Sequence, residues 1–111
     1  MLFNTVNKYN YTSTYYPYTI VENNDGTTSK IYSTNGNVID MTLSTTLIGD
    51  VVIQTNQKLQ KGGLLRLIRD RNNIPVYPDG VWEITQTQPI LNAVGIREGY
   101  KYRAKLIAGD L

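Results

Sequence analysis

The sequence contains neither cysteine nor histidine. The first absence excludes disulfides and thiolate metal ligands. The second removes the commonest general base and the commonest metal ligand together. Charged residues are sparse at 18% of 111 positions, where a globular chain carries about a quarter. No apolar run approaches the length of a membrane-spanning helix. Helix signals are nearly absent; the best is a single turn near Thr55–Lys61. Segment Met1–Lys8 has neither the charged start nor the apolar stretch of a signal peptide, which reads as an intracellular chain. The glycosylation sequon Asn10-Tyr11-Thr12 would need a secretory route to matter.

These absences bear on chemistry. A hydroxyl nucleophile needs an activating base, and no imidazole is present to serve one. No G-x-S-x-G elbow occurs. Asp25, Asp70 and Asp79 fall in turn contexts, where Asp stabilises the bend itself, while Asp40, Asp50 and Glu83 are scattered along strand-like runs. Asn23-Asn24-Asp25-Gly26 lacks the spaced acids and closing Glu of a calcium loop. Lys61-Gly62-Gly63 lacks the frame of a phosphate-binding P-loop. The expectation is a protein that is not an enzyme and uses no cofactor or metal.

What fills the chain is Thr, Asn, Gln and nine Tyr. Thr and Tyr suit pleated, half-buried surfaces, and Asn and Gly suit tight turns. With 111 residues and no linker or repeat, the chain reads as one domain, 1–111. Residues 1–14 lack a clear period and are candidates for a flexible N-terminal arm.

Period-two alternation follows along the whole chain. Tyr15–Val21, the turn Glu22–Gly26 and the run Thr27–Ser33 read as a hairpin, since Asp-Gly accepts the positive φ its turn needs. After the turn Thr34-Asn35-Gly36, Ile39, Met41 and Leu43 share one face. Leu47–Gln54 reads as a buried strand around Val51-Val52-Ile53, and Gln54–Gly63 as the longest loop. Leu64–Arg69 is another strand, and Pro75 and Pro78 mark an edge or loop. Asp79-Gly80 turns into Val81–Thr85, where Trp82 and Ile84 share a core face. Pro89 opens a shorter piece, and in the last strand Tyr100, Tyr102, Ala104 and Leu106 face one way while Lys101, Arg103 and Lys105 face the other. About seven strands at hairpin spacing predict an all-β fold, a small barrel or sandwich with long loops.

Three groups of residues could carry function. Lys101, Arg103 and Lys105 recur every second residue and so project from one strand face, suited to phosphates or an acidic partner, or else to a solvated wall. The charge is lopsided: residues 1–57 hold two Lys and four acids, residues 58–111 nine Lys or Arg and five acids. Tyr15, Tyr16 and Tyr18, in a segment poor in basic residues, suit a protein interface or packing better than base stacking. Gln57, Lys58, Gln60 and Lys61 make the long loop polar.

The C-terminal half resembles a known pattern. A Gly pair precedes a Leu-rich strand (Gly62-Gly63-Leu64-Leu65-Arg66-Leu67), followed by Asp79-Gly80-Val81-Trp82-Glu83-Ile84. Then come Gln88-Pro89-Ile90-Leu91-Asn92 and the long last strand Tyr100–Leu106. The order is similar to the small head-completion, or head-closure, proteins of tailed bacteriophages. That resemblance implies a β-barrel that forms a ring with copies of itself beneath the portal and joins the DNA-filled head to the tail. It implies portal or adaptor and tail proteins as partners, contact with packaged DNA, no membrane, and a place in the virion after assembly in the host cytoplasm. A mobile loop that helps retain the genome would then correspond to the Gln54–Gly63 segment. Tail-terminator and other neck proteins are close rivals. The alternative from another class is an OB-type barrel binding single-stranded nucleic acid, with Lys101, Arg103 and Lys105 on phosphates and Tyr rings on bases.

Overall fold

A computed structural model of the chain describes residues 9–77, 80–91, 93–95 and 97–108. Its elements are the strands β1 (Tyr11–Tyr16), β2 (Tyr18–Glu22), β3 (Thr28–Tyr32), β4 (Asn37–Thr45), β5 (Val51–Thr55), β6 (Leu64–Asp70), β7 (Val81–Leu91) and β8 (Arg97–Ala108). Six of them close into a barrel in the order β1-β4-β5-β8-β7-β6, every pair antiparallel. Strands β2 and β3 form a separate two-stranded sheet. The chain is thus the small all-β barrel that its alternation predicts, with eight strands rather than about seven.

The extra strand comes from Pro17. Tyr15–Val21 alternates as one run, but proline fixes φ and has no N–H to give. On its N-terminal side β1 stays in the barrel between β4 and β6. On its C-terminal side β2 leaves to pair with β3, and Ser33 N–H donates to the Pro17 carbonyl (2.8 Å) at the hairpin's base. Residues 11–14, expected in a flexible arm, are therefore a barrel strand paired on both sides; residues 1–8 of that arm lie outside the described residues.

Other expectations shift for similar local reasons. Leu47 and Ile48, read as the start of a strand, belong to the β4–β5 turn. Thr46 N–H donates to the Asp50 carbonyl (2.8 Å) and Gly49 N–H to the Thr46 carbonyl (3.1 Å), with Gly49 at φ +92. The segment Thr55–Lys61 contains no helical turn. Pro89 lies inside β7, opposite Tyr100. It is tolerated because β6 pairs β7 only through Leu64 and Leu65, so the outer half of β7 has a strand on one flank alone. The expected turn at Asp79 and the residues Pro78 and Asn92 lie outside the described residues.

The core follows period two. Ile39 and Met41 from β4, Val51 and Ile53 from β5, Trp82 and Ile84 from β7, and Tyr102 and Ala104 from β8 are all buried. Each large side chain removed from water contributes about 1.5–3 kcal/mol. Strand β6 breaks the period: Leu65 and Ile68, three apart, both point inward. Thr12 faces Arg69 and Thr14 faces Arg66, so Ser13 opposes two residues, and one of them, Leu67, has a positive φ of 56. This is a β-bulge. The buried Ser13 hydroxyl donates to the Arg66 carbonyl at 2.8 Å, which satisfies an acceptor that the broken ladder would leave exposed to an apolar interior.

Strand direction alternates around the barrel, so the connections sort to two ends. One end carries the β2–β3 insertion, the 56–63 connection and the β7–β8 turn; the other carries the β4–β5 turn and the 71–80 connection.

Candidate interaction surfaces

The tyrosines and the 56–63 connection turn out to be one structure. Leu59 N–H donates to the Tyr102 hydroxyl (2.6 Å), which in turn donates to the Gln57 carbonyl (3.1 Å). Gln60 N–H donates to the Tyr15 hydroxyl (2.8 Å). Tyr18 donates to the Lys61 carbonyl (2.9 Å) and Tyr32 to the Gly62 carbonyl (3.1 Å). Leu59 is buried beneath them, and Gly62 N–H and Gly63 C=O bond to Ile84 of β7. Four phenols from β1, β2, β3 and β8 thus hold one backbone segment against the barrel.

The glycine pair makes that contact possible. A Cβ at Gly63 would come within 2.7 Å of the Tyr15 ring, and Gly62 has φ +88, a conformation that side chains disfavour. Burial pushes the pKa of the Tyr15 and Tyr102 hydroxyls above the ordinary phenol value, and the amides of Gln60 and Leu59 oppose this.

This arrangement corrects two expectations. Tyr15 is 7% exposed and belongs to the core, so it offers no interface in the folded chain. Tyr16 and Tyr18 remain partly accessible, with Tyr18 also fastened to the loop. The Gln54–Gly63 segment is a lashed strap and not a free loop: Gln54 and Thr55 are part of β5, Gln57, Lys58 and Lys61 expose their side chains, and Gln60 accepts from the Tyr18 N–H (3.0 Å).

The basic stripe lies where its spacing places it, on the outer wall of β8. It is not an edge, because β8 pairs with β5 and β7. Lys101 and Lys105 are exposed. Arg103 Nε donates to the Asp50 carboxylate at 3.0 Å, and Lys105 sits directly across from Glu83. A shallow groove of about 250 Å³ runs beside Lys101 and Arg103, with Gln86 and Gln88 along it. The stripe is therefore partly neutralised: one member is ion-paired and one has an acid opposite. The Tyr100 and Tyr102 rings stack at 6.0 Å, with Tyr102 buried inside the wall. Arg66, another basic residue of the C-terminal half, lies on β6 and contributes to a different groove.

Two apolar features were not foreseen. In the β2–β3 hairpin, Ile20 and Ile31 are more than half exposed and Val21 is also exposed. At the opposite end, Leu47 is fully exposed at the tip of the β4–β5 turn, with Ile48 at 76%. The turn is braced, since Asp50 N–H donates to the Thr46 hydroxyl and the Asp50 side chain holds Arg103. A sequence signal existed for the turn, because Thr46 and Gly49-Asp50 bracket the apolar pair; the β-branched run after it masked the boundary.

Family models, characterised proteins and solved structures give no match to this chain. Among the described residues no group of three or more Asp or Glu is placed to hold a metal ion. Among the described residues no helix is long and apolar enough to cross a membrane.

Proposed function

We propose that this chain is a structural connector of a tailed-phage neck, assembling by protein–protein contacts into a ring between portal and tail and helping to retain packaged DNA. The observation that carries the reading is the β2–β3 hairpin. Eight of its ten strand residues are exposed, and only Tyr18 and Tyr32 at its root are partly covered. An isolated two-stranded hairpin is marginally stable in water, and exposed Ile and Val on it gain from a neighbour. The exposed Leu47-Ile48 turn gives the other barrel end a similar demand. The finer assignment to the neck rests on the resemblance of segments 62–67, 79–84, 88–92 and 100–106 to head-completion proteins; these segments contribute to β6, β7 and β8. With the 56–63 strap lashed down, the projecting hairpin is the better candidate for a channel-facing element.

Particles assembled without the chain test this directly. DNA-filled heads that leak genome and carry no tails are expected; normal maturation without it overturns the proposal. The nucleic-acid reading is less well supported, because Arg103 is engaged by Asp50 and the Tyr102 ring is buried. Titration of labelled single-stranded DNA distinguishes it, since binding tighter than roughly micromolar at physiological salt exceeds non-specific attraction.

A further inference from the structure

One buried polar atom in the barrel wall has no partner: Nε of Arg66. A buried N–H without an acceptor is costly and rare. The side chain sits on the outer face of β6, where the Leu67 bulge and the Ser13 hydroxyl fix the backbone that carries it. It lines a groove of about 300 Å³ between the barrel and the root of the β2–β3 hairpin. Tyr16, Tyr32, Leu64 and Val81 give the groove aromatic and aliphatic walls, and Ser33 and Thr34 close it. None of these residues is acidic.

The groove is also shaped in advance. A Cβ at Gly36 would fall within 2.9 Å of the Tyr16 ring, so the Tyr16 wall is seated against that turn. Tyr32 is tied to the Gly62 carbonyl and Ser33 to the Asn35 carbonyl.

We infer that this groove is a docking site for an acidic segment of a partner protein, with a carboxylate received by the terminal nitrogens of Arg66, which unlike Nε are not sealed from solvent, and an apolar neighbour packed on Tyr16, Leu64 and Val81. A guanidinium presents a planar fork that matches a carboxylate in two parallel hydrogen bonds, and such charge-assisted pairs are the strong ones. A nucleic-acid backbone fits less well, because it draws its affinity from several cations in a row and this groove has one. The inference stands apart from the neck proposal, since it concerns a binding property of the isolated chain.

The test is nuclear magnetic resonance of the arginine Nε–Hε signals in the purified full chain. The probes are the acetylated, amidated tripeptide Leu-Asp-Leu, its Leu-Asn-Leu analogue, inorganic phosphate and a short oligothymidylate. The Asp peptide should shift the Arg66 signal saturably and bind about tenfold or more tightly than the Asn analogue, the difference expected for a charge-assisted bond. Arg66→Lys should abolish the shifts that the Asp peptide produces at the backbone amides of Tyr16 and Leu64, while the rest of the amide spectrum stays that of the folded barrel. Tyr16→Phe, which keeps the ring, should leave the shift in place, and it serves as the control if Arg66→Lys does not fold. No shift with any probe, equal response to the Asp and Asn peptides, or response to phosphate or oligothymidylate alone overturns the inference.

Discussion

The barrel and the β2–β3 hairpin are built from the same residue types in the same alternation, yet they differ in nearly every physical respect. In β4, Ile39 and Met41 are sealed from water at 1% and 0% exposure; in β2 and β3, Ile20 and Ile31 stand at 57% and 55%. Local propensity makes both regions extended. Closure makes the difference: each barrel strand has two strand neighbours and an interior, whereas each hairpin strand has one neighbour and no second layer to cover its faces. The hairpin is attached through its root, where the Tyr18 and Tyr32 rings meet edge to face at 5.6 Å and both phenols bond to the strap. It follows that the barrel should behave as one cooperative unit, while the hairpin tip should open at far lower cost.

The hardest blow to this division is a cavity in the barrel. Trp82→Ala should cost about 3–5 kcal/mol, seen as a large drop in the urea midpoint, with hairpin and barrel signals lost together. Next is the join between strap and core. Tyr102→Phe removes the acceptor for Leu59 N–H and the donor to the Gln57 carbonyl; leaving a buried amide unpaired costs about 1–3 kcal/mol. Hydrogen exchange at Leu59 should accelerate before the rest of the barrel does.

The buried phenols also predict a pH response. Their ionisation in the folded chain is raised from the ordinary 10.0, chiefly by burial. The folded state therefore holds these protons more tightly than the unfolded state. This stabilisation is complete below pH 10 and is lost as pH climbs through the raised values. Thermal melts should decline on the alkaline side, and Tyr102→Phe should flatten that decline.

Smaller effects belong to the outer wall. Asp50→Asn breaks a partly exposed ion pair with Arg103, worth about 0.2–1 kcal/mol and weakened by salt. Its loss should be visible at low ionic strength and fade at high. Smallest is Ile31→Ala on the hairpin, expected within about 0.5 kcal/mol of the parent in global stability. A loss as large as that of a core residue would show that the hairpin is packed in solution and would collapse the comparison between the two regions.

Much of the fold could be read directly from the chain. Alternation grouped Ile39 with Met41, Trp82 with Ile84, and Tyr102 with Ala104 on faces that are inner, because a strand with one buried side must repeat every second residue, whereas Leu106, grouped with Tyr102, is half exposed near the end of β8. The same rule placed Lys101, Arg103 and Lys105 outside. The candidate surfaces were less legible. Tyr15 and Tyr18 look alike in sequence, but Pro17 sends them to different sheets, one into the core and one onto the hairpin root. Polar composition made 57–61 look like a free loop, because nothing local reveals that phenols from four strands converge on its backbone. Arg66 and Ile68 could not be assigned to opposite faces by counting, since the bulge at Leu67 shifts the period.

By itself, then, the sequence determined that this protein is a chain of short amphipathic strands without imidazole or thiol chemistry. Those properties depend on residue type and nearest-neighbour spacing alone. The tertiary structure decided that the strands close on themselves, that one hairpin is left outside, that the tyrosines fasten a strap, and that the Nε of an arginine lining a groove is buried without a partner. Each of these depends on pairings between residues tens of positions apart, and on which of two identical side-chain types the closed barrel has room to cover.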